Sequence, residues 1–177
     1  VGKCSHPDSL SDNGDGTHGG TCPFCGKVFA EEFHTPGTDN KCTGCGTELV
    51  AKVESGSTIY VGSLEDAFDS INTSATVTLL ADVTLEESVD IPSGTFTLDL
   101  SGKNVSAPGT ALEMLDSRTT LDIQDSSAGK TGTIQGGLSA GNWAGIELRG
   151  GTLNIIGGTI QGTWAGVEIS SIANTEL

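Results

Sequence analysis

A hexapeptide recurs at an interval of twenty-one residues: Trp143-Ala144-Gly145-Ile146-Glu147-Leu148 returns as Trp164-Ala165-Gly166-Val167-Glu168-Ile169. Two other patterns recur beside it. Gly132-Thr133-Ile134-Gln135-Gly136 is matched by Gly158-Thr159-Ile160-Gln161-Gly162, and Thr97-Leu98-Asp99-Leu100 by Thr120-Leu121-Asp122-Ile123 and Thr152-Leu153-Asn154-Ile155. Apolar and polar residues alternating in short glycine-rich runs describe strands, and a period of roughly 20 to 30 residues describes strands stacked as coils. The expected fold is therefore mainly β, a parallel β-helix or β-solenoid over residues 51–177, with a β-sandwich as the rival arrangement. Extra residues in loop 137–142 fit an insertion at an exposed edge of one coil.

Alternation also assigns faces. Leu98, Leu100, Leu121, Ile123, Ile146, Leu148, Leu153, Ile155, Val167 and Ile169 are expected to point inward and stack coil upon coil. Asp99, Asp122, Asn154, Glu147 and Glu168 then point outward, as do Trp143 and Trp164. With coils about 4.8 Å apart, Asp99 would stand beside Asp122 and Glu147 beside Glu168. Such pairs repel by roughly 1 kcal/mol in water, so they must be solvated or hold a cation. Ahead of the repeats, Ser63 precedes a short amphipathic segment with Leu64, Ala67, Phe68 and Ile71 at helical spacing. This helix is expected to cover the apolar end of the first coil.

The first fifty residues have a different composition. Every Cys and His of the chain lies among the first forty-five, in the order Cys4, His6, His18, Cys22, Cys25, His34, Cys42, Cys45. Five cysteines would leave one unpaired in a disulfide framework. A stretch with so few large apolar side chains cannot offset its own chain entropy. A structural zinc ion supplies roughly 10–16 kcal/mol to small domains, so residues 1–50 are read as a zinc-binding module. Two ions would use all eight ligands tetrahedrally. Cys22, Cys25, Cys42 and Cys45 could share one ion in a ribbon, leaving Cys4, His6, His18 and His34 for the other. Alternatively Cys4, His6, Cys22 and Cys25 hold one, and His18, His34, Cys42 and Cys45 the second. A one-ion version, on the two Cys-x2-Cys turns alone, also stands. Between the early ligands, Asn13-Gly14 and Asp15-Gly16 are hairpin-turn dipeptides that would swing His18 toward Cys22. A calcium loop is the poorer reading, because the twelfth position from Ser11 is Cys22 rather than the Glu that an EF-hand requires.

The motif Cys-x-His, Asn-Gly-Asp-Gly-Thr-His, Cys-x2-Cys-Gly, His, Lys-Cys-x2-Cys-Gly, running from Cys4 to Gly46, resembles a cysteine-rich module of large secreted or wall-attached proteins of gut Firmicutes. The segments Ser63-Leu64-Glu65-Asp66-Ala67, Val77 to Leu85 and Leu98-Asp99-Leu100-Ser101-Gly102-Lys103 are similar to the opening of right-handed parallel β-helices of the pectate-lyase-like class. The resemblance implies an extracellular, secreted or cell-wall-attached surface protein. It does not imply one activity, since such helices serve as adhesins, lyases and glycosidases.

Twenty-three acidic and eight basic residues leave a net charge of −15, which excludes duplex nucleic acid as a partner. No run is apolar enough to span a membrane. The last strand, Val167-Glu168-Ile169, suggests the front end of a longer protein. A Ser-His-Asp arrangement is excluded from the repeats because they hold no histidine. Stacked carboxylates reach the spacing of about 5–5.5 Å used by retaining glycosidases, but any solenoid ladder does so automatically. No catalytic residue is therefore assigned. The expected function is noncatalytic: adhesion or glycan binding, with a glycan or a host surface protein as partner. Trp143, Glu147, Trp164 and Glu168 form the candidate platform, because exposed aromatic faces beside carboxylates suit sugar rings. The plainer role for the tryptophans is to cover the flank of the solenoid or pack under loop 137–142. The alternatives are the N-terminal part of a polysaccharide lyase or glycoside hydrolase, and a structural stalk.

Overall fold

The computed structural model describes residues 10–71 and 73–170. It begins with an antiparallel sheet of β1 (Ser11–Asp12), β2 (Thr17–Thr21) and β3 (Val28–Phe33). The β1–β2 connection is the expected tight turn. Gly14 and Gly16 have φ of 79° and 85°, where a Cβ would be strained, and the Asn13 amide donates to Thr17 O at 3.0 Å. Asp15 accepts from the amide and hydroxyl of Thr17, so its carboxylate serves the turn.

A second hairpin follows, β4 (Ala51–Glu54) and β5 (Thr58–Val61), and then the helix α1 (Leu64–Asp69). Ser63 caps α1 by accepting from the Asp66 amide at 3.0 Å, and Glu65 and Asp66 place negative charge in its first turn. No helix among the described residues is long and apolar enough to cross a membrane.

Four coils of three strands make up the rest of the described residues. They are β6 (Ser74–Leu79), β7 (Val83–Thr84) and β8 (Val89–Asp90); β9 (Thr95–Asp99), β10 (Asn104–Ser106) and β11 (Leu112–Met114); β12 (Thr120–Gln124), β13 (Thr133–Gln135) and β14 (Ala144–Leu148); and β15 (Thr152–Ile155), β16 (Thr159–Gln161) and β17 (Ala165–Ile169). Corresponding strands of successive coils pair in parallel, giving the sheets β7-β10-β13-β16, β8-β11-β14-β17 and β6-β9-β12-β15, and the protein is a β-solenoid. Register aligns the interior residues in ladders: Ala75, Phe96, Leu121, Leu153; Val77, Leu98, Ile123, Ile155; Val83, Val105, Ile134, Ile160; and Val89, Leu112, Ile146, Val167. Most of these side chains are fully buried. Ile155 and Ile169 remain exposed at 52% and 79%, because among the described strands none lies beyond the fourth coil.

The structure corrects two expectations about the outer face. Thr120 pairs with Thr95, so Asp122 faces Thr97, and Asp99 faces Gln124 rather than Asp122. The repeated Thr-Leu-Asp motif is thus displaced by two residues, a slip that preserves which side chains point inward. Asp99 is also buried instead of solvated. β9 ends there, and the carboxylate turns back to accept from the amides of Ser101 and Ser126, each at 2.9 Å, and from Gln124 Nε2 at 3.1 Å. Asp125 does the same in the next coil, with donors from Gly102 and Ser127 at 2.9 Å and Gly132 at 2.7 Å. Burial opposes its charge, but donors from Ser127, Gly132 and Gly102 outweigh it and lower its pKa.

The first coil is covered by local structure. β4 pairs antiparallel with β6 and extends its sheet, with Val53 beside Val77 and Ala51 beside Leu79. α1 packs against β4, β5 and β8 and buries Leu64, Ala67 and Phe68. Phe68 meets Phe96 edge to face at 5.8 Å between centroids. The β1–β2 turn lies on the same end: a Cβ at Gly14 would come within 3.1 Å of Asp66 Oδ1, and one at Gly16 within 3.1 Å of Ile59. Asn40 Nδ2 donates to Leu80 O at 3.1 Å.

Candidate metal centre

The two Cys-x2-Cys-Gly segments adopt the same backbone turn. The Cys22 amide donates to Lys27 O and the Gly26 amide to Cys22 O, both at 2.9 Å; the Cys42 amide donates to Thr47 O and the Gly46 amide to Cys42 O, both at 2.8 Å. Gly26 and Gly46 have φ of 70° and 80°, a left-handed conformation that glycine adopts without steric cost. Cys25, Cys42 and Cys45 are not in disulfides.

β2 delivers His18 to the second of these turns. Its Nδ1 lies 3.6 Å from Cys42 Sγ, and its ring covers Gly44, where a Cβ would fall 2.7 Å from Cε1. His18, Cys42 and Cys45 place one ligand atom each within 4.8 Å of one another. A tetrahedral zinc site with bonds of 2.0–2.3 Å has ligand atoms roughly 3.3–3.8 Å apart, so a small inward movement would suffice. Burial works against a thiolate at Cys42. Hydrogen bonds from the backbone of Cys45, Thr35 and Gly44 and from the Cys45 side chain outweigh it and lower the pKa, which favours the form that binds metal. Cys45 Sγ lies 3.2 Å from the Thr47 hydroxyl.

His34 stands beside this group. Its amide donates to Gly16 O at 2.9 Å, and its ring centroid is 5.3 Å from that of His18. The side chain is fully buried, and neither Nδ1 nor Nε2 has a hydrogen-bond partner. Leaving such groups unsatisfied costs about 1–3 kcal/mol. A metal ion coordinated by Nδ1 would remove part of that cost, and two thiols with two imidazoles are a donor set that zinc accepts. His18, Cys42 and Cys45 therefore fit a metal ion, with His34 as the candidate fourth ligand.

The expected ligands are thus divided by the β2–β3 hairpin. Cys22 and Cys25 occupy its loop, whereas His18 and His34 lie at the opposite end, where Thr17 pairs with Phe33. Four strand steps of about 3.4 Å separate those ends by roughly 14 Å. The four-cysteine ribbon is therefore not assembled, and the hairpin turn aims His18 at Cys42 rather than Cys22. Of the alternative divisions, the structure brings together His18, Cys42 and Cys45, with the His34 ring beside His18. Cys4 and His6 lie outside the described residues. Sequence reasoning missed Asp12, whose Oδ1 is 3.5 Å from His34 Nε2; its place opposite His18 in the β1–β2 pairing is the signal that identifies it.

In the solenoid, Glu147 and Glu168 are in register, with Glu113 on the other side of Glu147. Glu147 is held by Arg149, at 2.8 and 3.0 Å, and by Ser170 at 2.8 Å. The Arg149 hydrogen bonds are the main cause of its lowered pKa. The Trp164 amide donates to Trp143 O at 3.0 Å. Trp143 packs against Gly109 and beneath Gly141 of loop 137–142, its Nε1 donating to Ala140 O at 3.4 Å. Trp164 is 66% exposed and Trp143 only 37%. Gly145 in the repeated hexapeptide is required by packing: a Cβ there would fall 2.7 Å from Ile160 Cγ2 and 2.8 Å from Gln161 O. The chain matches no protein-family model, no curated protein and no solved structure.

Proposed function

We propose that this chain is a noncatalytic, zinc-stapled end of a β-solenoid that displays its outer faces on an extracellular surface. The observation that carries the proposal is the grouping of His18 and Cys42, at 4% and 2% exposure, with Cys45; beside it lies a fully buried His34 whose ring nitrogens have no hydrogen-bond partner. Zinc held in this way cross-links β2, the segment after β3 and the second Cys-x2-Cys turn. These segments have little apolar core of their own. Catalytic zinc requires an open coordination position and access for substrate, and ligands this deeply covered favour a structural ion. A second ion would be held by Cys22 and Cys25 with Cys4 and His6. Native mass spectrometry with a thiol count in denaturant and chelator tests the reading. Two zinc ions and five reactive thiols are expected; a metal-free chain with disulfides would refute it.

For the solenoid, we propose adhesion or glycan binding through the face carrying β14 and β17. The exposed Trp164, next to Trp143 and the Glu147–Glu168 pair, supports it. Glycan-array binding that is lost in Trp164→Ala at unchanged melting temperature is the expected result. Absence of any binding would leave a stalk.

A further inference from the structure

Asp12 has a place in the hairpin that the turn alone does not explain. It pairs with His18 across β1 and β2, and its Oδ1 accepts from the Gly14 amide at 2.9 Å. The same oxygen lies 3.5 Å from His34 Nε2, against a ring with no exposed surface. Its other oxygen faces the chain just before α1, where a Cβ at Gly62 would approach it to 2.7 Å. The Asp-Asn-Gly-Asp-Gly-Thr-His segment thus contributes one metal ligand directly. It also places a carboxylate against a second imidazole and seats both on the end of the solenoid.

We infer that Asp12 is a positioning residue for the metal centre: with the ion bound, its carboxylate, 3.5 Å from His34 Nε2 in the structure, closes to accept the Nε2–H and so fixes the tautomer that leaves Nδ1 free for the ion. The inference rests on the zinc reading above. A carboxylate behind a ligating histidine orients the ring and raises its basicity, and removing such a partner weakens metal binding by roughly 10–100-fold. Here the carboxylate also touches the solenoid cap, so the ring is oriented by a group anchored outside the metal module.

The test is a competition titration of the full chain with Zn2+ against a chromophoric chelator, alongside the visible spectrum with Co2+, for wild type, Asp12→Asn and Asp12→Ala. Asparagine keeps the acceptor for the Gly14 amide, so a role confined to the turn predicts wild-type affinity for Asp12→Asn. The positioning role predicts a weakening of several-fold for Asp12→Asn and about 10–100-fold for Asp12→Ala, with an altered cobalt d–d spectrum in both. Wild-type affinity and an unchanged spectrum in Asp12→Asn overturn the inference, and this variant decides if Asp12→Ala does not fold. A wild-type chain that shows no thiolate-to-cobalt band overturns the zinc reading itself, and the two failures are thereby distinguished.

Discussion

Replacing His34 with leucine sets two accounts of this side chain against each other in sign. On packing alone the change should stabilise the chain. It removes two buried nitrogens without hydrogen-bond partners and fills a fully enclosed site with an apolar group, a gain of about 1–3 kcal/mol for each unsatisfied group removed. If His34 is a metal ligand, the change should destabilise. Dividing the roughly 10–16 kcal/mol supplied by a structural zinc among four ligands gives about 3 kcal/mol per ligand, or about 100-fold in affinity. Hydrogen-exchange mass spectrometry resolves the outcome, because peptides covering β2 and β3 report on the module while Trp143 and Trp164 lie in the solenoid. In saturating zinc, His34→Leu is expected to lose protection in β2 and β3. In excess chelator both proteins should exchange there at similar high rates. Protection in zinc equal to or greater than that of wild type would refute the ligand assignment.

Phe68→Ala opens a cavity against Phe96 and should destabilise by about 3–5 kcal/mol, measured by urea unfolding. Because coils contact only their neighbours, exchange should rise most in β4, β6 and β9 and least in β14 and β17. Asp125 has a folded pKa below its ordinary value. Its contribution is therefore present above the unfolded value of about 3.9 and is lost as pH falls through the folded one. Asp125→Asn should lower stability near neutrality and flatten the acid limb of a pH–stability curve below about pH 4; an unchanged acid limb would show that another group dominates it.

The solenoid was legible because its signals are local. Gly132-Thr133-Ile134-Gln135-Gly136 and its partner pair in register as the repeat implied, and so do the Glu147 and Glu168 strands. Ser63 caps the helix where the pattern put it. The misreading of β9 arose from similarity outweighing geometry. Thr97-Leu98-Asp99 looks like Thr120-Leu121-Asp122, yet the strand starts at Thr95 and turns at Ser101 and Gly102, so pairing follows the turns. The outward placement of Asp99 failed for a related reason, since alternation predicts a face only while the chain remains extended. In the module, eight candidate ligands were visible, but their division was not. It depends on which end of the β2–β3 hairpin each residue occupies, and no spacing rule contains that information. The burial of His34 against Asp12 depends on the same hairpin lying on the solenoid.

The interior ladders have a consequence for how such a chain can vary. Each coil presents to the next the pattern of apolar side chains and strand edges that it received from the one before, from Val77 through Leu98 and Ile123 to Ile155. Duplicating or deleting one coil changes reach by about 4.8 Å and leaves the covered end, with its helix and the His18, Cys42 and Cys45 group, untouched. Length is therefore adjustable in fixed increments, as on a ruler whose zero mark is the histidine–cysteine centre.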